Sequence, residues 1–484
     1  MIVKVLIIAV YAIVILLFGL LGLRKVKSFT DYFLGGRSVG AWMTAFTYAA
    51  AYFSAVLFIG FAGKIGWGFG LSGLWIALGN TLIGVLGVWW LLGDRIRRMS
   101  LDYQVTTVPE FLEKRYRSRA LKLISSLAIF IFLVPYSAAV FIGLAYLFNV
   151  NFHLTYALAL GIMGLFTAFY LVLGGYKSMT MIDVVFGMIM CVGSTILIIS
   201  TIGKAGGMAG LTSGLALIEP RLTAAVGPPG VWPLFALVFL TSVAPFGMPQ
   251  LVQKFYAIKN RRAIRRGMIF STCFAALISF AAYFTGAAAR LFLSPDTAPS
   301  AFSGGKPVFD ALMPEFLANV VPGSLSVLML LLILSASMST LAALVLISSS
   351  SVAKDLYGGF IKTDVSDRAL TRLMRILGAV FVFLSVVLAY FKPATIVSIM
   401  AISWGAVGSF FLGPFVWGLL SRRATKAGAF ASSLLGLGTC LVLSLAGMQA
   451  PQAGTIGMMV SLAVIPVLSF LGISNGTSAR SGAS

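Results

Sequence analysis

The chain has 484 residues, of which 60% are hydrophobic and only 10% are charged. A soluble domain is about half apolar and about a quarter charged, so no soluble fold of this length hides so much apolar surface; lipid must be its main solvent. The formal net charge of +22 would suggest nucleic acid in a soluble protein. Here the cations cluster in short loops between long apolar runs, which points to an anionic leaflet and away from nucleic acid.

A helix needs roughly 20 apolar residues to cross about 30 Å of hydrocarbon. Thirteen such runs follow in chain order, at about 2–23, 40–63, 71–93, 123–148, 154–174, 180–203, 233–255, 267–293, 323–352, 374–391, 396–420, 427–448 and 455–473. The first is too long, and too weakly basic before it, for a signal peptide. The loops 204–232 and 294–322 are rich in Gly, Pro and Ser and have room for short helices. No stretch between spans is large enough for a soluble enzyme domain. Residues 1–473 therefore read as one integral membrane domain, and 474–484 as a disordered cytoplasmic tail.

Taken by alternate loops, 28 of the 35 Lys and Arg fall on one side. The dense blocks are Arg95/Arg97/Arg98, Lys114/Arg115/Arg117/Arg119/Lys122 and Lys259/Arg261/Arg262/Arg265/Arg266. The positive-inside rule makes that side cytoplasmic, with the N-terminus outside and the C-terminus inside a multi-pass inner-membrane protein. Cys191, Cys273 and Cys440 lie far apart in apolar segments, with no metal or disulfide spacing. A membrane enzyme would need clustered His, Asp, Glu or Cys, and the lone His153 does not make such a site. The chain is read as a non-enzyme without a cofactor.

Two spans are poor regular helices. The second runs Thr47-Tyr48-Ala49-Ala50-Ala51-Tyr52-Phe53-Ser54-Ala55 and then meets Gly60 and Gly63. The seventh contains Pro245-Phe246-Gly247-Met248-Pro249-Gln250, whose prolines remove backbone donors and open the helix. In lipid such openings persist only where the freed carbonyls face protein, water or an ion. The two spans lie five apart and cross in opposite directions. That is the arrangement of a five-plus-five inverted repeat, with core repeats at about 40–203 and 233–420 and a binding site near the midplane.

Four stretches stand out in order: Asp31-Tyr32-Phe33-Leu34-Gly35-Gly36-Arg37-Ser38-Val39-Gly40; Gly247-Met248-Pro249-Gln250 with Lys254-Phe255-Tyr256-Ala257; Ser335-Ala336-Ser337-Met338-Ser339-Thr340-Leu341 ending at Lys354-Asp355-Leu356-Tyr357; and Gly413-Pro414 through Arg422-Arg423 and Gly428. They carry a resemblance to the sodium:solute symporter family that extends over nearly the whole chain. The resemblance implies an all-α fold of the leucine-transporter type, with one extra N-terminal and two extra C-terminal helices. It also implies a sodium site made by the carbonyls of Ala50, Phe53 and Ala336 and the hydroxyls of Ser339 and Thr340. The spacing of 336, 339 and 340 agrees, because it puts them on one helical face. A second sodium site in some members uses two more hydroxyls one turn later; here those positions are Ala342 and Ala343, so a single coupling sodium is expected. Asp183 resembles the family's aspartate on the ion exit path, and an intramembrane carboxylate is functional by default.

The expected substrate-binding residues are Ser54, Leu57, Tyr136, Phe246, Gln250 and Trp404, with Phe53 and Met248 beside them. No acidic residue falls in the central pocket, which disfavours an obligate cation. The run Tyr52-Phe53-Ser54-Ala55 followed by Phe58-Ile59-Gly60 looks more like pantothenate or monocarboxylate carriers than proline carriers. The alternatives are a proline-like, sugar or sialic acid sodium symporter, a proton-coupled carrier, and a membrane sensor on the same scaffold. The partners are therefore a small solute, Na+ and membrane lipid.

Overall fold

Backbone buried in hydrocarbon must bond to itself, and the apolar runs accordingly form helices. The computed structural model describes residues 2–23, 28–323, 325–362 and 364–470; the expected disordered tail 474–484 lies outside them. Among the described residues, eleven helices are long and apolar enough to cross a membrane. The expected second and third spans run together as Val56–Asp102, although Gly70, at φ +59°, turns the chain between them. The expected fifth is the helix Tyr156–Gly174. The ninth continues to Ile361, so Asp355 as well as Asp183 belongs to a long apolar helix.

The broken halves approach the second repeat closely because small residues line the seam. A Cβ on Gly66 would stand 2.4 Å from the carbonyl carbon of Gly286. The loop expected to carry short helices at 204–232 forms Gly207–Ile218. The one at 294–322 forms a two-residue β-ribbon, Phe302–Ser303 with Lys306–Pro307, and the helix Phe309–Val320.

Hydrogen bonds between connections divide into two sets. One joins the dense basic loops: Arg37 donates to Val105 O at 2.7 Å, Arg97 to Lys259 O at 2.7 Å and Arg115 to Ser421 O at 2.6 Å. The short helix Val108–Tyr116 sits among them behind a capping box of Thr107 and Glu110. Glu110 pairs with Lys354 at 3.0 Å, and the Thr107 hydroxyl donates to Asp355 at 2.7 Å. The second set joins the sparsely charged loops: Lys4 donates to Asn151 at 3.1 Å, Lys204 to Asn319 O at 2.8 Å and Arg290 to Trp67 O at 3.0 Å. Every one of these contacts stays within one of the two loop sets assigned from the charges.

In the sparsely charged set, Asp310 near the start of Phe309–Val320 accepts from the Ile396 amide at 3.1 Å, the first residue of the helix Ile396–Leu420. A carboxylate there opposes the positive end of that helix. Burial nevertheless pushes its carboxyl up to about 6, against the pull of the Ile396 amide, Lys64 and Lys392. Because the packed arrangement holds the proton more tightly, its advantage is fully present below the ordinary value of 3.8 and is lost as pH rises through about 6. Melting curves of the purified protein from pH 7 to pH 5 test this. Wild type is expected to gain stability relative to Asp310→Asn on acidification; a difference between the two that does not move with pH contradicts it.

Candidate functional site

The helix Ala41–Tyr52 stops where Phe53 turns extended (φ −108°, ψ 111°) and resumes as the wide-turned Val56–Gly66. The Ser54 hydroxyl accepts from the Val56 amide at 3.2 Å, capping the new start. In the second repeat, Val231–Val243 passes into the tight turn Ala244–Phe246 and an extended Met248 before Pro249–Ala257 begins. Proline at the first position of a helix loses nothing, because that amide has no partner within the helix.

Beside the first break, Ser326–Ser350 presents Ala336, Ser339 and Thr340. The Thr340 hydroxyl stands 3.2 Å from Ala50 O, 3.4 Å from Ala51 O and 3.1 Å from Ala336 O. A hydroxyl has one proton to give, so three carbonyls around it make a cluster of hard oxygens of the kind that holds an alkali cation. The Ser339 hydroxyl is buried beside Asp183, and Phe53 is buried at the same break. Three of the five expected ion-site residues, Ala50, Ala336 and Thr340, thus meet at one place, and Ser339 adjoins Thr340 in sequence. Ala342 and Ala343, one turn on, are buried and bring no side-chain oxygen.

Asp183 is fully buried. Thr47, Ser339 and Lys254 are the polar groups around it. Sequence reasoning assigned no role to Thr47 or Lys254; a lysine among the apolar residues 251–257 was the available signal.

A narrow cavity opens at the first break. Of the expected substrate residues it takes in Ser54, Leu57, Tyr136 and Trp404, together with Phe53. The Trp404 ring stacks on Tyr52 at 5.7 Å and meets Tyr136 edge-on at 5.9 Å. Phe246 and Gln250 do not line this cavity: Phe246 packs toward Gly87, and the Gln250 amide points to the Met248 sulfur at 3.6 Å. Residues not foreseen do line it, namely Asn80, Thr241, Tyr283 and Met400. Asn80, an amide inside an apolar run, could have been found by that oddity. Tyr52 donates to Thr241 O at 2.5 Å and so bridges the two repeats. The Tyr283 hydroxyl faces Asn80, and the Trp404 indole faces the Tyr136 hydroxyl. The lining holds hydroxyls, an amide and an indole N–H, with no carboxylate and no cation.

Comparison with known proteins adds three findings. The profile of the Sodium:solute symporter family matches residues 32–436. The sodium/pantothenate symporter of Escherichia coli (strain K12) is 29% identical over 88% of this chain and 87% of its own length. The high-affinity proline transporter PutP of Bacillus subtilis (strain 168) is 28% identical over 90% of each, and the sodium/proline symporter of Haemophilus influenzae is 30% identical over 88% and 85%. Among solved structures, a substrate-bound, outward-open Na+-coupled sialic acid symporter superposes with a TM-score of 0.82 at 18% identity, over 97% of each chain. That likeness shows the fold. The family's members are secondary transporters, not enzymes.

Replacing Ser339 and Thr340 together by Ala tests the oxygen cluster. At sodium about a hundredfold above its dissociation constant, binding stabilises the folded form by about 2.7 kcal/mol. The double variant is expected to lose most of the sodium-dependent rise in melting temperature, measured against choline at equal ionic strength. An unchanged rise would place the ion elsewhere.

Proposed function

The chain belongs to the sodium:solute symporter family, and from that footing we propose that it carries one sodium ion inward with each molecule of a small organic solute of the pantothenate or monocarboxylate kind. The observation that carries the ion site is the Thr340 hydroxyl held among the carbonyls of Ala50, Ala51 and Ala336, next to the buried Ser339 hydroxyl. Phe53 O completes the proposed set, and Asp183 stands on the exit path. Ser54, Leu57, Tyr136 and Trp404 contact the solute in this reading, while Phe246 and Gln250 join it only when the second break moves.

Thirteen crossings are proposed, with Ala41–Gly66 as one broken span, the chain after Gly70 as the next and Tyr156–Gly174 as another. The leucine-transporter-type core at about 40–203 and 233–420 then has one extra helix before it and two after. The basic loops face the cytoplasm, the N-terminus lies outside and the C-terminus inside. In alternating access, sodium joins the first break to Ser326–Ser350 and holds the outward-facing form, the solute enters, the bundle rocks, and sodium leaves inward first. Support for a solute without an amino group comes from the cavity lining, which offers donors to a carboxylate and no carboxylate to an ammonium.

Energetics make the stoichiometry testable. One inward charge is worth roughly 2.3 kcal/mol at about −100 mV, and a tenfold sodium gradient adds about 1.4 kcal/mol. One sodium with a neutral solute sustains accumulation of several hundredfold, whereas one sodium with a monoanion is electroneutral and sustains only about tenfold. A melting screen against a solute library, with and without sodium, is expected to return a carboxylate that stabilises only in sodium. Its uptake into proteoliposomes should then be insensitive to membrane potential. Stabilisation by proline rather than by carboxylates, or uptake that follows pH and persists without sodium, would overturn the reading.

A further inference from the structure

Five polar side chains from four helices meet between the proposed ion site and the basic face. Thr47 lies on Ala41–Tyr52, Tyr176 and Asp183 on Tyr176–Lys204, Lys254 on Pro249–Ala257 and Ser339 on Ser326–Ser350. All five are 0% exposed. The Tyr176 phenol and the Lys254 ammonium have no hydrogen-bond partner, while the Thr47 and Ser339 hydroxyls face the Asp183 carboxylate. The Lys254 ammonium lies 5.0 Å over the Tyr176 ring, two helical turns from Asp183 on the same face. Lys254 is the charge that acts most on Asp183, and Asp183 is the charge that acts on Lys254.

A buried carboxylate needs a cation near it. With sodium at Ser339 and Lys254 in place, this cluster carries one net positive charge; without sodium it is neutral. If Lys254 were uncharged, the same cluster would be neutral with sodium and carry an unpaired negative charge without it. The empty carrier must reorient with this cluster enclosed in protein, where an unpaired charge is costly. Lys254 stands on the inner half of the second broken helix, and Asp183 faces it across the repeat boundary. Rocking of one repeat against the other therefore changes their separation.

We propose that Lys254 is a tethered cation that competes with sodium for Asp183, so that it expels sodium inward and leaves the returning carrier neutral. The proposal rests on the reading that sodium binds at Ala336, Ser339 and Thr340 and leaves past Asp183. It also gives a physical reason for a single sodium: the second positive charge of the cluster is built into the chain.

The test is the midpoint of sodium-dependent thermal stabilisation, titrated with sodium chloride against choline chloride on the purified full-length protein. A buried unit charge on a neighbouring helix shifts an ion-binding equilibrium by about tenfold or more at an effective dielectric of about 20. Lys254→Gln is therefore expected to lower the sodium midpoint by about tenfold, while Lys254→Arg keeps it at the wild-type value. Asp183→Asn should raise the midpoint, and in that background Lys254→Gln should change it by far less than about tenfold, because the contested carboxylate is gone. If Lys254→Gln by itself does not melt cooperatively, the sodium midpoint of uptake into membrane vesicles reads the same shift. If Lys254→Gln leaves the midpoint unchanged, or tightens sodium equally with and without the Asp183 carboxylate, the proposal is overturned while the ion site stands. If wild type itself shows no sodium-dependent stabilisation, the ion site is wrong and this proposal falls with it.

Discussion

In hydrocarbon every backbone amide and carbonyl must find a partner, and the rest of this structure depends on the two places where the chain declines to supply one from within a helix. At Phe53 the backbone turns extended for one residue before Val56–Gly66 begins, and between Ala244 and Met248 two prolines bracket a short irregular turn. The carbonyls freed at the first break are met by the Thr340 hydroxyl from a helix nearly three hundred residues away. At the same break a cavity opens between the repeats, bridged by the bond from Tyr52 to Thr241. The oxygen cluster proposed for the ion and the cavity proposed for the solute are thus two consequences of one interruption. A continuous helix at Phe53 would remove both.

The charges are distributed to suit that interior. On the basic face they are numerous and tie connection to connection, through Arg37, Arg97, Arg115 and the pair of Glu110 with Lys354. Burial works against ionisation at Glu110, but the Lys354 and Lys122 ammoniums and the Thr106 amide outweigh it and hold its carboxyl below the usual range. The opposite face has few charges, and Asp310 ties Phe309–Val320 to the start of Ile396–Leu420 there. Between the faces the solute cavity is lined without formal charge, and the Asp183 and Lys254 cluster holds one charge of each sign. An interior of that kind moves through lipid at least cost when its ions enter and leave in balance.

Much of the scaffold was legible in the sequence because lipid imposes a one-dimensional rule. Hydropathy locates apolar helices without knowledge of their neighbours, and loop charges sort the connections into two sets. The contacts of Arg97 with Lys259 O and of Lys204 with Asn319 O respect that sorting. Helix ends were less legible: the ninth run extends to Ile361 because its polar residues, Asp355 among them, are enclosed by protein rather than water. The turn at Gly70 is legible only as a glycine, since its necessity comes from Leu222 O lying 2.3 Å from where a Cβ would be.

The sequence by itself determined that this is a polytopic helical protein of the sodium:solute symporter family with two interrupted spans. Those properties follow from composition, from local backbone chemistry and from short ordered motifs. Spacing also put Ala336, Ser339 and Thr340 on one face, because helical periodicity is local. Only the tertiary structure decided which side chains share a cavity. It brought Asn80, Thr241 and Tyr283 to Ser54 and Trp404, and kept Phe246 and Gln250 out. It also set Lys254 near Asp183, a neighbour more than seventy positions away. Such meetings depend on how helices far apart in sequence pack against one another, and no window along the chain contains that information.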